Sequence, residues 1–297
     1  MKSTFGSAPD MGRVIEIAGN EQPMVSDAKD RLGRIRWPDD ARAVVCVTIH
    51  IDGPAVEAGR GQNALGIHSR GSYALRRGIR RYLDMLERHG AKATFFCCGY
   101  DAEHWPEPFR EIHEAGHEIA AHGYQHEGFD LGEREPELLE KTHRILEGFG
   151  QIPVGWCSPS GRKSRLTLPT LRRLGYIYDA SEKDEDIPYL LEDGFMILPN
   201  NTVSLDDFPM YFTGGASAAE VERNFVQEFD AALDRDGYVH LTVHPRAGGG
   251  SGTPARAAAV NRFLAHAKAT PGTRFMTCRE LAEYCLREPS RWQETRA

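Results

Sequence analysis

An unbroken apolar, largely β-branched run covers residues 43–49, Ala-Val-Val-Cys-Val-Thr-Ile, the pattern of a short strand buried on both faces. The period then changes: between Arg76 and Arg88, Ile79, Tyr82, Leu83 and Leu86 recur at helical spacing, and Gly90 provides the stop. Residues 93–98 read as a second buried strand, 107–115 as a helix ended by Gly116, and 118–122 as a third strand ending near His122. A helix over 134–148, a loop over 151–165, a helix over 167–174 and a strand tip at 176–178 ending in Asp179 follow. The rhythm continues with a strand at 195–198, an irregular section at 199–217, a helix at 220–236 and a strand at 238–243. A glycine-rich loop at 248–252, a helix at 255–269, a strand at 274–277 and a helix at 279–287 complete it. Strands alternating with helices predict an α/β domain around a parallel sheet, open or closed into a barrel. Residues 1–36 are polar and irregular and predict an N-terminal arm packed on or between subunits. A single domain over 37–290 and a polar tail over 291–297 account for the rest.

At 297 residues the chain is long enough to bury a substantial core. Its 40% hydrophobic and 27% charged residues, with a formal net charge of −7, are ordinary for a soluble globular protein. The acidic balance argues against a nucleic-acid partner, and Arg76, Arg77, Arg80 and Arg81 read as the solvated side of one helix. The first residues lack the apolar run of a signal peptide, and no later stretch approaches a membrane span, so the expectation is a cytoplasmic protein with no membrane partner. Six Cys without a C-x-x-C pair fit buried reduced thiols better than a disulfide framework.

The strongest constellation is His122-Gly123-Tyr124-Gln125-His126 after a strand, with Asp52 at the end of an earlier strand. Two imidazoles four residues apart converge on one ion from a single turn, and a carboxylate from a neighbouring strand completes three ligands with room for water. The competing reading is a polar loop, since H-x-x-x-H also arises by chance. Such a ligand set accepts zinc, cobalt, manganese or iron, and zinc is the first expectation for the divalent metal ion. His117-Glu118 begins like a zinc-protease helix, but position 121 holds Ala121 where the second His belongs. His50-x-Asp52 resembles an iron-oxygenase triad with the same ligand types, a motif associated with antiparallel barrels and not with strand–helix alternation.

Three segments, Lys92-Ala93-Thr94-Phe95-Phe96, residues 116–127 from Gly116-His117-Glu118 to His126-Glu127, and His240-Leu241-Thr242-Val243-His244-Pro245, resemble the motifs of the polysaccharide deacetylase (NodB-homology) superfamily, in the same order. The similarity runs from about Trp37 to Leu286. Tyr178-Asp179-Ala180-Ser181 and Asp186-Ile187-Pro188-Tyr189 resemble the branch of peptidoglycan-deacetylase-like and cyclic imide hydrolase proteins, with allantoinase-type enzymes in a related branch. The resemblance implies a deformed (β/α) barrel with its site at the C-terminal ends of the strands and Asp52, His122 and His126 as metal ligands. It also implies His244 as general acid, and Asp179 is expected to help set the protonation of that imidazole.

This chain departs from the family at two positions. The family's first motif offers one acid as base and a second as metal ligand, whereas Asp52 is the only acid here and His50 is the nearest candidate for the base. The best match to a family Arg that pairs with the base acid is Cys157, in Gly155-Trp156-Cys157-Ser158-Pro159. Losing an acid together with its cationic partner is coherent, because either alone would be an unpaired buried charge. A divalent ion brings the pKa of its bound water to roughly 7, and beside a cation His50 is neutral and accepts the water's proton. The alternatives for His50 are a core histidine or a fourth ligand.

Glu118 and Glu127 flank the ligand pair and are candidates to orient its imidazoles; helix-end or solvent contacts are the alternative. Cys157 reads as a spectator lining the pocket, Trp105, Tyr124 and Trp156 as pocket lining or core, and the 248–252 loop as a mobile rim. The expected function is metal-dependent hydrolysis of a carbon–nitrogen bond in a small cyclic imide, ureide or N-acyl compound. The rivals are an N-acetyl-glycan or peptidoglycan deacetylase and a non-catalytic metal or sugar binder. The expected partners are a small-molecule substrate and, through the arm, further copies of the chain in a homo-oligomer.

Overall fold

The computed structural model describes Ile35 and residues 37–127, 131–191, 194–201 and 204–292. Residues from Ile35 onward form one compact unit. The predicted arm, Ile35 apart, and residues 293–297 of the predicted tail lie outside the described residues.

The strands are β1 (Ala43–Ile51), β2 (Thr94–Cys97), β3 (Glu118–Ala121), β4 (Gly155–Trp156), β5 (Tyr178–Asp179), β6 (Tyr189–Leu190), β7 (Met196–Ile197), β8 (Tyr238–Val243) and β9 (Thr273–Met276). They form one sheet in the order β6-β7-β5-β4-β3-β2-β1-β8, with β9 also paired to β1. Every pairing is parallel except β6 with β7. This curled, mostly parallel half-barrel is the deformed (β/α) barrel that the motifs implied.

β1 is the hub. Its first half, Ala43–Cys46, pairs with β9, its second half, Thr48–Ile51, pairs with β2, and its other edge takes β8. All nine of its residues are buried, as the continuous apolar run requires for a strand covered on both faces. Side chains alternate between faces along a strand. Val45, Val47, Ile49 and Ile51 accordingly join a core with helix residues such as Ile79, Phe225 and Phe263, while Val44 and Cys46 join an inner cluster with Phe96, Ala120 and Tyr178. Continuing the second set, Thr48, His50 and Asp52 fall on the inner side, so the register that buries the aliphatic side chains also directs the chemistry into the barrel. Each such aliphatic side chain contributes on the order of 1.5–3 kcal/mol when fully buried.

The helices are α1 (Ala55–Gly59), α2 (Arg70–Tyr73), α3 (Ile79–His89), α4 (Gly99–His104), α5 (Glu107–Glu114), α6 (Glu135–Glu147), α7 (Thr167–Arg173), α8 (Asp207–Phe212), α9 (Ala218–Leu233), α10 (Pro254–Ala269) and α11 (Cys278–Arg287). The helix predicted from Arg76 begins earlier, because α2 runs through a π turn at Ala74–Gly78 into α3. Two glycines on this segment let it touch backbone at the strand ends: a Cβ at Gly71 would lie 2.3 Å from the Gly53 carbonyl oxygen, and one at Gly78 1.9 Å from that of Pro245. The loop at 248–252 is not a mobile rim. Gly249, Gly250, Ser251 and Gly252 are buried, Arg81 and Arg256 hold its carbonyls, and a Cβ at Gly250 would lie 2.3 Å from the His244 carbonyl oxygen.

Candidate active site

Parallel strands present their C-terminal ends at one edge, where open α/β sheets and barrels gather functional side chains. Here β1 delivers His50 and, one residue beyond its end, Asp52; β3 delivers His122, β4 Cys157 and β8 His244. His126 follows on the turn after His122 with its backbone in the left-handed region, at φ 57°. Glu127 fixes that turn by accepting the backbone N–H groups of Tyr124 at 2.9 Å and Gln125 at 2.7 Å.

Asp52 Oδ1 lies 3.5 Å from Nε2 of His122 and 3.5 Å from Nε2 of His126. Asp52 and His122 are 5% and 2% exposed, and Asp52 Oδ1 has no hydrogen-bond partner despite its burial. Ligands about 2.1 Å from a tetrahedral ion are roughly 3.4 Å apart, which both distances from Asp52 Oδ1 match, and the three ligand atoms all lie within 4.8 Å of one another. His122 Nδ1 is 2.7 Å from the Cys157 carbonyl oxygen, which requires the proton on Nδ1 and leaves the Nε2 lone pair for a cation. Without an ion the electrostatics are those of a negative charge shared among imidazoles. Burial opposes the charge of Asp52, but His126, His122 and His244 hold its carboxyl well below the usual range. Burial likewise opposes the charge of His122, yet Asp52 and the Cys157 side chain push it up to about 10. Burial outweighs Asp52 at His126 and pushes it down to about 4.

His50 stands over this group, its ring centroid 4.8 Å from that of His122 and 5.2 Å from that of His244. Burial first, then the neighbouring His122 and His244, keep it well below the usual histidine range and therefore neutral. His244 donates from Nδ1 to Asp207 Oδ1 at 2.6 Å, and its backbone N–H donates to Asp207 Oδ2 at 3.0 Å. Its Nε2 lies 3.7 Å from Asp52 Oδ2. Burial disfavours the imidazolium, but Asp207, helped by Asp52 and Asp206, pushes His244 up to about 9.

The carboxylate on His244 is thus Asp207, and not Asp179. The Asp179 side chain is taken up by Lys163 Nζ at 2.6 Å and by the backbone N–H and hydroxyl of Ser181, at 2.8 and 2.5 Å. Glu118 does not orient the imidazoles either: it accepts from Thr94 Oγ1, the Tyr178 hydroxyl and the Arg279 backbone N–H. The Tyr124 hydroxyl donates to Glu103, Trp156 is buried in the core, and Trp105 is 40% exposed.

Sequence reasoning missed three further groups. Asp207, with Asp206, lies in the section read as irregular; the acid doublet ahead of Phe208 was its only local signal. Asp101 on α4 is buried and accepts the backbone N–H groups of Gly53 at 2.9 Å and Ala55 at 2.8 Å, bracing the chain directly after Asp52. Arg246 and Glu57 form a buried ion pair at 2.7 Å beside the site.

The family model described as polysaccharide deacetylase matches residues 71–178. A Mycobacterium smegmatis structure assigned to the polysaccharide deacetylases superposes with a TM-score of 0.76 at 32% identity, covering 84% of this chain and 92% of that one. The chain belongs to the polysaccharide deacetylase family. This family comprises hydrolases acting on carbon–nitrogen bonds. Among curated relatives, the peptidoglycan deacetylase of Helicobacter pylori is 27% identical over 263 residues, 75% of this chain and 88% of that protein. A peptidoglycan deacetylase-like protein of Gibberella zeae is 36% identical over 169 residues, 52% of this chain but only 49% of that protein's length. No helix among the described residues is long and apolar enough to cross a membrane.

Proposed function

We propose that this polysaccharide deacetylase family member hydrolyses a carbon–nitrogen bond in a small cyclic imide, ureide or N-acyl compound, with a divalent ion, zinc in the first instance, held by Asp52, His122 and His126. The observation that carries the proposal is the buried Asp52 Oδ1, without a partner of its own, between two imidazole nitrogens at 3.5 Å. When bound, the ion polarises the scissile carbonyl and makes water more acidic.

The protein's own groups do the rest. His50, kept neutral by its burial, accepts the proton that the attacking water gives up. His244 keeps its proton across the neutral range because of Asp207, and with Nε2 turned toward Asp52 it delivers that proton to the departing nitrogen. Asp101 holds the chain after Asp52, and the Cys157 carbonyl fixes the orientation of His122. The depth of the site supports a small substrate or a small projecting group: His50, Asp52, His122 and His244 are all at most 6% exposed.

A second reading, removal of acetyl groups from an N-acetylated glycan, is favoured by the similarity to the H. pylori protein over most of its length. The test is hydrolysis of cyclic imides, ureides and N-acetylglucosamine oligomers by the full chain, before and after chelation and with zinc added back. Zinc-restored cleavage of a small ring supports the proposal, cleavage of the oligomers alone replaces it with the second reading, and no turnover of any compound overturns both.

A further inference from the structure

The described residues bring a second set of ligand atoms together next to the first. His50, His122 and Cys157 each offer one, all within 4.8 Å of one another, and the three residues are 5%, 2% and 3% exposed. Two observations mark this group as unfinished. His50 Nε2 is buried with no hydrogen-bond partner, an unfavourable placement unless something coordinates it. The contacts of the Cys157 sulfur are long and weak: the thiol donates to the Ala180 carbonyl at 3.3 Å and the Ser158 carbonyl at 4.0 Å, and the Asn200 amide donates to it at 3.9 Å. Thiolate and imidazole together select ions that differ from those favoured where a carboxylate takes part.

We infer that His50, His122 and Cys157 form a second cation position, overlapping the first at His122, that takes an ion softer than zinc, of the Cd2+ or Cu+ kind. On binding, the Cys157 sulfur–metal bond forms as the thiol proton leaves to solvent, while His50 and His122 coordinate as neutral imidazoles. Because the proton held on His122 Nδ1 by the Cys157 carbonyl leaves only Nε2 to coordinate, both positions draw on that one nitrogen and one ion at a time is held. Zinc or a harder ion sits with Asp52 and His126, whereas a softer ion sits with Cys157 and withdraws His122 from the reactive position. The inference shares His50 and His122 with the proposed hydrolytic site but does not rest on hydrolysis.

The test uses the metal-free full chain with Cd2+ as the thiophilic probe and Mn2+ as the hard one. Cd2+ is followed by the ultraviolet thiolate-to-metal band and Mn2+ by paramagnetic resonance. We expect one equivalent of Cd2+ with a thiolate band that survives in Asp52→Asn and disappears in Cys157→Ser, where Cd2+ binds at least tenfold more weakly. His50→Gln should weaken the Cd2+ complex without removing Mn2+. Mn2+ should show the opposite dependence, lost in Asp52→Asn and kept in Cys157→Ser. Absence of a thiolate band in the wild type, or its persistence in Cys157→Ser, overturns the inference. Mn2+ binding that is indifferent to Asp52→Asn strikes at the first site instead, so the two failures are read separately.

Discussion

Replacing Asp101 by Asn tests how the ligand Asp52 is held in place. The two carboxylate oxygens of Asp101 accept the backbone N–H groups of Gly53 and Ala55 at 2.9 and 2.8 Å. Gly53 has no Cβ for this reason, since one would lie 2.5 Å from Asp101 Oδ2. An asparagine accepts one of these bonds but turns its amide N–H groups toward the other donor. A hydrogen bond to a charged acceptor contributes about 1.5–3 kcal/mol, and an orphaned buried donor costs a further 1–3 kcal/mol or so. Asp101→Asn should therefore destabilise the fold by roughly 3–5 kcal/mol, measured as the loss in unfolding free energy by urea titration. Because the shifted chain carries Asp52, metal affinity should also fall, by about the 10–100-fold typical of lost ligand support. Burial pushes the Asp101 carboxyl well above its usual range, against the two backbone donors. A stability change under about 0.5 kcal/mol together with unchanged metal affinity would refute the two-acceptor account and mean that Asp101 already carries a proton.

Asp52→Ala and His122→Ala should lose bound metal together with activity, while His50→Ala keeps metal and loses rate; normal metal content in either ligand variant, by elemental analysis, sinks the assignment. Asp207→Asn removes the charge that pushes His244 up to about 9. A general acid works below its pKa, so the alkaline limb of the kcat profile should move from near that value toward neutral pH, and an unmoved limb excludes His244 as the acid. His117 is buried, with Nδ1 3.3 Å from the Ala93 backbone N–H that it accepts. Burial, with Lys92, lowers it from 6.5 to about 4. The unfolded chain takes up this proton first as pH falls, so the stability present above about 6.5 is lost progressively toward pH 4. At about 1.36 kcal/mol per pKa unit the loss is about 3 kcal/mol before allowing for solvent screening, and about 1–2 kcal/mol after it. Urea titrations between pH 4 and 7 should show a shallower slope for His117→Gln; equal slopes would contradict this.

What was legible in the sequence had local cause. β1 was legible from the run at 43–49, the greater part of a strand that extends to Ile51, because burial on both faces writes a continuous apolar run, and the His122/His126 pair shows because a single turn brings both rings to one point. By contrast β4, β5, β6 and β7 span two residues each, too short to write a period, and the antiparallel return of β6 on β7 left no signal. The choice between Asp179 and Asp207 illustrates the other limit. Both acids lie close to a strand end or helix start, but the sheet order puts β5 four pairings from β1 and β8 directly beside it. Only that order shows which acid meets His244. α8, which carries Asp207, starts on an Asp206 cap that accepts the Phe208 backbone N–H at 2.9 Å; its six residues are too few for periodicity to reveal. Asp101 acts on backbone groups far away in sequence, and nothing in its neighbours announces that.

His126 adopts left-handed backbone geometry that a residue with a Cβ enters at a cost of about 1–2 kcal/mol. The Glu127 carboxylate maintains that geometry through protein contacts alone. The turn that presents the second imidazole is consequently shaped before any ion arrives, and an ion that leaves takes none of that shape with it. Metal exchange then resembles changing a bit in a rigid socket, with no folding step to reject an unsuitable occupant. At the proposed site, the cation found in freshly isolated protein is therefore expected to follow the supply of ions as well as the preference of the ligands.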